Sequence, residues 1–126
     1  MISPEMFGEF MVPVLTEMTG RLDYCMFHWD GPGAIPHHDH LLSVPELSMI
    51  QWTPGAGVEP VMHERWWPLY HKTIEAGKKV ILTGFEGIEN LSVLKAEFGL
   101  KFKHFMIQIE AESLSQADNI LNIVSD

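Results

Sequence analysis

The chain has a single cysteine, Cys25, so no disulfide can form within it. That usage suits a reducing compartment. No run approaches the ~20 apolar residues that a membrane-spanning helix needs. The chain opens Met-Ile-Ser-Pro-Glu, without the basic stretch and apolar stretch of a signal peptide. These absences set the expectations of a cytoplasmic location and no membrane partner. Basic residues are also scarce: eight Lys+Arg stand against seventeen Asp+Glu, a formal net charge of −9. A field of that sign repels phosphate backbones, so nucleic acid is not an expected partner. Arginine occurs only at Arg21 and Arg65. There is no low-complexity segment, no charge block and no linker.

What is present is enough for one domain. With 126 residues, 46% of them hydrophobic, the chain can bury a core, and the expectation is a single domain over residues 1–126. Ser3 suits an N-cap and Pro4 a first helical position. Phe7, Phe10, Met11, Val14, Leu15 and Met18 follow at helical spacing up to Gly20, with Pro13 expected to kink or shorten the helix. A strand is expected over 24–29, then a turn at Asp30-Gly31-Pro32-Gly33 and a short helix over 36–43. Met49 to Thr53 reads as a second strand, and Trp66, Leu69, Tyr70 and Ile74 as a helix ending at Gly77. Lys79 to Thr83 is the third strand. A helix through Ile88, Leu91, Leu94 and Phe98 ends at Gly99. Phe105 to Glu110 is the fourth strand. Ser113 and Gln116 then form a capping box for a last helix through Leu114, Ala117, Leu121 and Val124.

This order, a helix followed by four strand–helix units, implies a parallel sheet with right-handed crossovers. Side chains alternate between the two faces of a strand. One face carries Cys25, Phe27, Trp29, Ile50, Trp52, Val80, Leu82, Phe105, Ile107 and Ile109, and is apolar throughout. The other begins apolar, with Tyr24, Met26, Met49, Ile81 and Met106. It turns polar at the strand ends, with His28, Asp30, Gln51, Thr53, Thr83, Gln108 and Glu110. A flat doubly wound sheet is apolar on both faces. A barrel places a polar site at the C-terminal strand ends, above a packed layer. The expected fold is therefore α/β: half of a TIM-type (β/α)8 barrel, four parallel strands with outer helices plus an N-terminal helix. The alternative is a four-stranded α/β domain with one solvated sheet face. A complete barrel takes about 250 residues, so half of one leaves two strand edges and an inner apolar layer uncovered. The expected partners are a second copy or a complementary half barrel, with a small-molecule substrate at the mouth.

Several segments in order resemble the uroporphyrinogen decarboxylase superfamily, which includes zinc-dependent methyltransferases acting with corrinoid proteins. Ser3 to Phe7 with Phe10 and Pro13 resembles the helix before the fifth barrel strand. His28-Trp29-Asp30-Gly31 resembles the end of that strand, and Ile50 to Gly57 the sixth strand and its loop. Asp30 to Ala34 followed by His37 and Asp39 resembles a branch with an Asp-Gly-Pro-Gly-Ala turn and a His-x-Asp pair. Gly77-Lys78-Lys79 and Phe105 to Ala111 fit strands seven and eight. The resemblance implies the C-terminal half of the barrel, a methyltransferase-type activity more than a decarboxylase, and zinc and a corrinoid partner as associated groups. Three departures stand out. Asp30 occupies the position of a zinc-binding cysteine, no cysteine follows the last strand, and the decarboxylases' catalytic half has no counterpart here.

His28 and Asp30, two apart at a strand end, point to one side, and imidazole nitrogen with carboxylate oxygen suits zinc. Glu110 is the expected third ligand, with Glu112 as its substitute. The alternative is a His28–Asp30 hydrogen bond without metal. His37 and Asp39 match the family pattern and are expected to line the mouth with Gln51, Thr53, Thr83 and Gln108. The run His37, His38, Asp39, His40 could bind metal as two or more His at a helix start, or be a solvated helix terminus. The terminus is the favoured reading, because adjacent residues do not share a helix face, and His38 and His40 do not match the family pattern. Trp66, Trp67 and Tyr70 read as packing between helix and barrel. Two classes of function follow: an enzyme half related to corrinoid methyl transfer, or a non-catalytic module that dimerises or completes another chain.

Overall fold

A computed structural model describes residues 2–125. It has four parallel strands, β1 (Met26–Asp30), β2 (Met49–Thr53), β3 (Lys79–Phe85) and β4 (Phe105–Ile109), in the spatial order β1-β2-β3-β4. Each strand is followed by helix. α3 (His38–Ser43), α4 (Trp67–Glu75), α5 (Ile88–Phe98) and α6 (Leu114–Ser125) come in turn. The fold is α/β with an all-parallel sheet in sequence order, the topology of half a TIM-type barrel. None of the described helices is long and apolar enough to cross a membrane.

The N-terminal helix runs through α1 (Pro4–Met6), a π-helical segment (Phe7–Met11) and α2 (Val12–Thr19). Ser3 caps it, its Oγ accepting from the Met6 N–H at 3.3 Å. Pro13 has no N–H to give and would clash with the Glu9 carbonyl in a regular α-helix. The wider π segment, in which the Val12 N–H reaches Phe7 O, resolves that clash without ending the helix.

The apolar face expected from alternation is the face that the helices cover. Trp29, Ile50, Trp52, Val80 and Leu82 are buried in one core with Leu41, Trp66, Tyr70, Ile74, Leu91, Leu94 and Phe98. Trp29, Trp52 and Trp66 form a row of edge-on and tilted ring contacts through it, with ring centroids 4.7 and 5.1 Å apart. The N-terminal helix joins this side, because Phe7 packs edge-on against Phe27 at 6.4 Å. The opposite sheet face is open at its two edge strands, where Met26 is 51% exposed and Met106 59%, while Ile81 at its centre is 8% exposed.

Three strands differ from expectation in extent, and β4 ends at Ile109, one residue short of Glu110. β3 continues past Thr83 through an irregularity between Leu82 and Phe85. Gly84, at φ +68°, adopts a backbone conformation costly for other residues and turns the strand there. Phe85, which strict alternation puts on the open face, is thereby buried in the core. β1 starts at Met26 because Cys25 O already accepts from the Ser48 and Met49 N–H groups and leads into the pairing.

Candidate functional site

Parallel pairing sets His28 opposite Gln51 and Asp30 opposite Thr53. Across the next seam Gln51 faces Ile81, so Thr83 sits one step higher, diagonal to Gln51. The side chains follow this stagger. His28 Nδ1 lies 2.8 Å from Gln51 Oε1, and Gln51 Nε2 donates to Thr83 Oγ1 at 3.2 Å. One hydrogen-bonded chain thus crosses three strands on the open face. Since the amide oxygen faces the imidazole, the ring proton sits on Nδ1. Nε2 is the ring nitrogen left without a protein partner, on an exposed residue. This geometry replaces the expected His28–Asp30 hydrogen bond: the imidazole is held from the neighbouring strand. A hydrogen bond at one ring nitrogen that orients the other is how proteins prepare a histidine as ligand or base.

Around this chain, Gln108, Asp30 and Glu110 are exposed and Thr53 is partly buried. Thr53 Oγ1 is shielded from solvent with no hydrogen-bond partner in the structure. The expected ligand set does not come together. β1 and β4 are the two edges of the sheet. Three strand spacings of about 4.8 Å put them about 14 Å apart, against a zinc–oxygen bond of ~2.0–2.2 Å. Among the described residues, no three His, Cys, Asp or Glu side chains gather at metal-binding distance. His28, Asp30 and Glu110 of one chain therefore do not fit zinc, and neither does Glu112, just past the same edge strand. Cys25 does not help, since its Sγ donates to Glu46 O at 3.1 Å on the other side of the sheet.

His37 and Asp39 lie in the helical layer, away from the polar row. His37 is buried, its ring stacked on Phe7 at 4.6 Å with Nε2 3.1 Å from Ile2 O. Asp39 pairs with Lys72 of α4 at 2.7 Å, and that ammonium holds its carboxyl below the usual range. The solvated-terminus reading is corrected for His37 and His38, which are 6% and 3% exposed. His38 stacks on Trp29 at 4.3 Å, and its Nε2 lies 2.9 Å from Thr73 Oγ1. The Thr73 hydroxyl already gives its proton to Leu69 O, so it accepts from His38. Burial lowers the His38 pKa to about 4, with Lys72 adding to the effect. Apolar neighbours at the next turn bury a short helix start that local composition marks as polar.

Two further features escaped the sequence reading. Lys78 is buried and donates to Val44 O at 2.7 Å and Leu47 O at 2.8 Å, tying the loop after α3 to the start of β3. Burial lowers its pKa. The Lys78-Lys79 pair held the signal, because alternation sends one of two neighbours inward. A cleft of 570 Å³ opens between the loop after β2 and the start of α5, lined by Met62, His63, Glu64, Trp67, Glu86 and Glu89 among others. None of the expected site residues lines it. No protein-family model, curated protein or solved structure matches the chain.

Proposed function

We propose that the chain is a uroporphyrinogen decarboxylase-like half barrel, related to the zinc-dependent corrinoid methyltransferases, whose open sheet face is the mouth of a small-ligand site. The observation that supports this most is the His28–Gln51–Thr83 chain at the C-terminal strand ends. A barrel puts its chemistry there. Within this reading, His28 offers Nε2 to a ligand, Gln51 fixes the ring, and Thr83 fixes Gln51. Gln108 supplies a further polar contact, and Asp30 and Glu110 bring carboxylates to the rim. One chain does not by itself assemble a ligand set for zinc among its described residues.

A second reading, a non-catalytic assembly module, is favoured by the exposed apolar residues at the base of the same face, Met26 and Met106, at 51% and 59%. Calorimetric zinc titration of wild type, His28→Ala and Asp30→Ala separates the two. Binding in the wild type that both variants lose supports a metal-bearing mouth. Equal weak binding in all three leaves His28 a structural residue and favours the assembly module.

A further inference from the structure

The N-terminal helix carries two stripes. Phe7, Met11 and Leu15 face the core. Met6, Phe10, Val14 and Met18 face solvent, 46%, 57%, 48% and 59% exposed. Successive helical residues are rotated by about 100°, so positions on either side of Phe7 point to opposite flanks. Gly8 marks one flank, since a Cβ there would meet the His40 ring of α3 at 2.6 Å. The exposed stripe, on the register of Met6, therefore faces away from α3, beyond the free edge of β1. Leu22, 55% exposed, continues it toward that edge.

The other edge of the sheet has the complementary deficit. On β2 and β3 the outer-face residues Ile50, Trp52, Val80 and Leu82 are buried. On β4 the outer-face residues Phe105, Ile107 and Ile109 stay only partly buried, because α6 packs chiefly on α5. One edge thus has an apolar helix flank with no strand beneath it. The other has an apolar strand with too little helix above it. Charge at the base agrees: Lys103 stands just before β4, and Asp23 just before β1.

We propose that a second copy of this chain completes the barrel, each copy's N-terminal helix covering the outer side of the other's β4. A two-fold pairing of this kind satisfies both edges at once and leaves none open. Parallel alignment of β4 with the second copy's β1 sets the oppositely charged bases side by side. At the other end it places Glu110 of one copy beside His28 and Asp30 of the other. The mouth is then composite, with residues that lie at opposite edges of one chain made neighbours across each seam. This rests on the half-barrel reading and names what fills the missing half.

The test uses sedimentation and crosslinking on the full chain. The wild type is expected to sediment as a dimer at micromolar concentration. Phe10→Glu and Val14→Glu, each at an exposed position, are expected to raise the dimer dissociation constant at least about tenfold, with helix content unchanged by circular dichroism. In a Cys25→Ser background, mixed Asp30→Cys and Glu110→Cys chains are expected to join through a short bis-maleimide, while neither variant alone does. A monomer at tens of micromolar overturns self-pairing. In that monomer, a His28 Nδ1–H signal that disappears in Gln51→Leu would keep the open-face site, and only the self-pairing would fall. A dimer that resists both glutamate substitutions and gives no mixed crosslink overturns this seam.

Discussion

His38 offers the sharpest test of how this chain is held together. The ring is 3% exposed, stacked on Trp29 and bonded to Thr73 of α4, and its pKa falls from 6.5 to about 4. The neutral ring is the folded form. Below pH 6.5 the unfolded chain takes up a proton that the folded chain refuses, so stability falls as pH falls. The contribution is fully present above pH 6.5 and is lost between there and about pH 4. Linkage over that window gives a loss of about 2 kcal/mol by pH 5 and about 3 kcal/mol by pH 4. Urea unfolding of the wild type at pH 7.5, 6, 5 and 4 reads the loss directly. His38→Gln removes the titrating group. It lowers stability at pH 7.5 by loss of the Trp29 stack and flattens the curve between pH 6.5 and 4. The difference between the two proteins must therefore shrink as pH falls. Parallel curves for wild type and variant would refute the account of His38 as a buried neutral ring. So would a nitrogen chemical shift showing imidazolium at pH 5.5.

Other outcomes follow from contacts elsewhere in the sheet and its helices. Gln51→Leu takes away the acceptor that holds the His28 proton on Nδ1. Nitrogen-15 NMR of the imidazole then loses its Nδ1–H signature, while the fold, read by amide shifts far from β2, stays the same. Lys78→Met leaves Val44 O and Leu47 O without their donor. The expected cost is about 2 kcal/mol, seen as a lower urea midpoint with unchanged slope. Leu82→Ala, at a fully buried position in the middle strand β3, opens a cavity in the core and is expected to cost about 2–5 kcal/mol by the same assay.

The order of helices and strands was legible because each element carries its own period. Met49 to Thr53 alternates, Ile88 to Phe98 repeats every three or four residues, and the glycines after them end the pattern. The two faces of the sheet were legible for the same reason, since alternation depends only on neighbours along one strand. Pro13 could be seen as a disturbance. That the helix would pass it through a π segment could not, because Phe7 must reach the core on one side of Pro13 and Leu15 on the other.

Sequence alone determined which residues each strand presents to the open face, and with them the candidates His28, Gln51, Thr83 and Gln108. Tertiary structure decided how those candidates meet. The register across β1, β2 and β3 gave His28 to Gln51 and Gln51 to Thr83, where adjacency in the chain had offered Asp30. The strand order put Glu110 at the far edge from His28, and the helical layer drew His37 and His38 out of solvent. Periodicity is a property of residues a few positions apart. A hydrogen bond or a ligand set joins residues tens of positions apart, and only the packed sheet sets the distance between them.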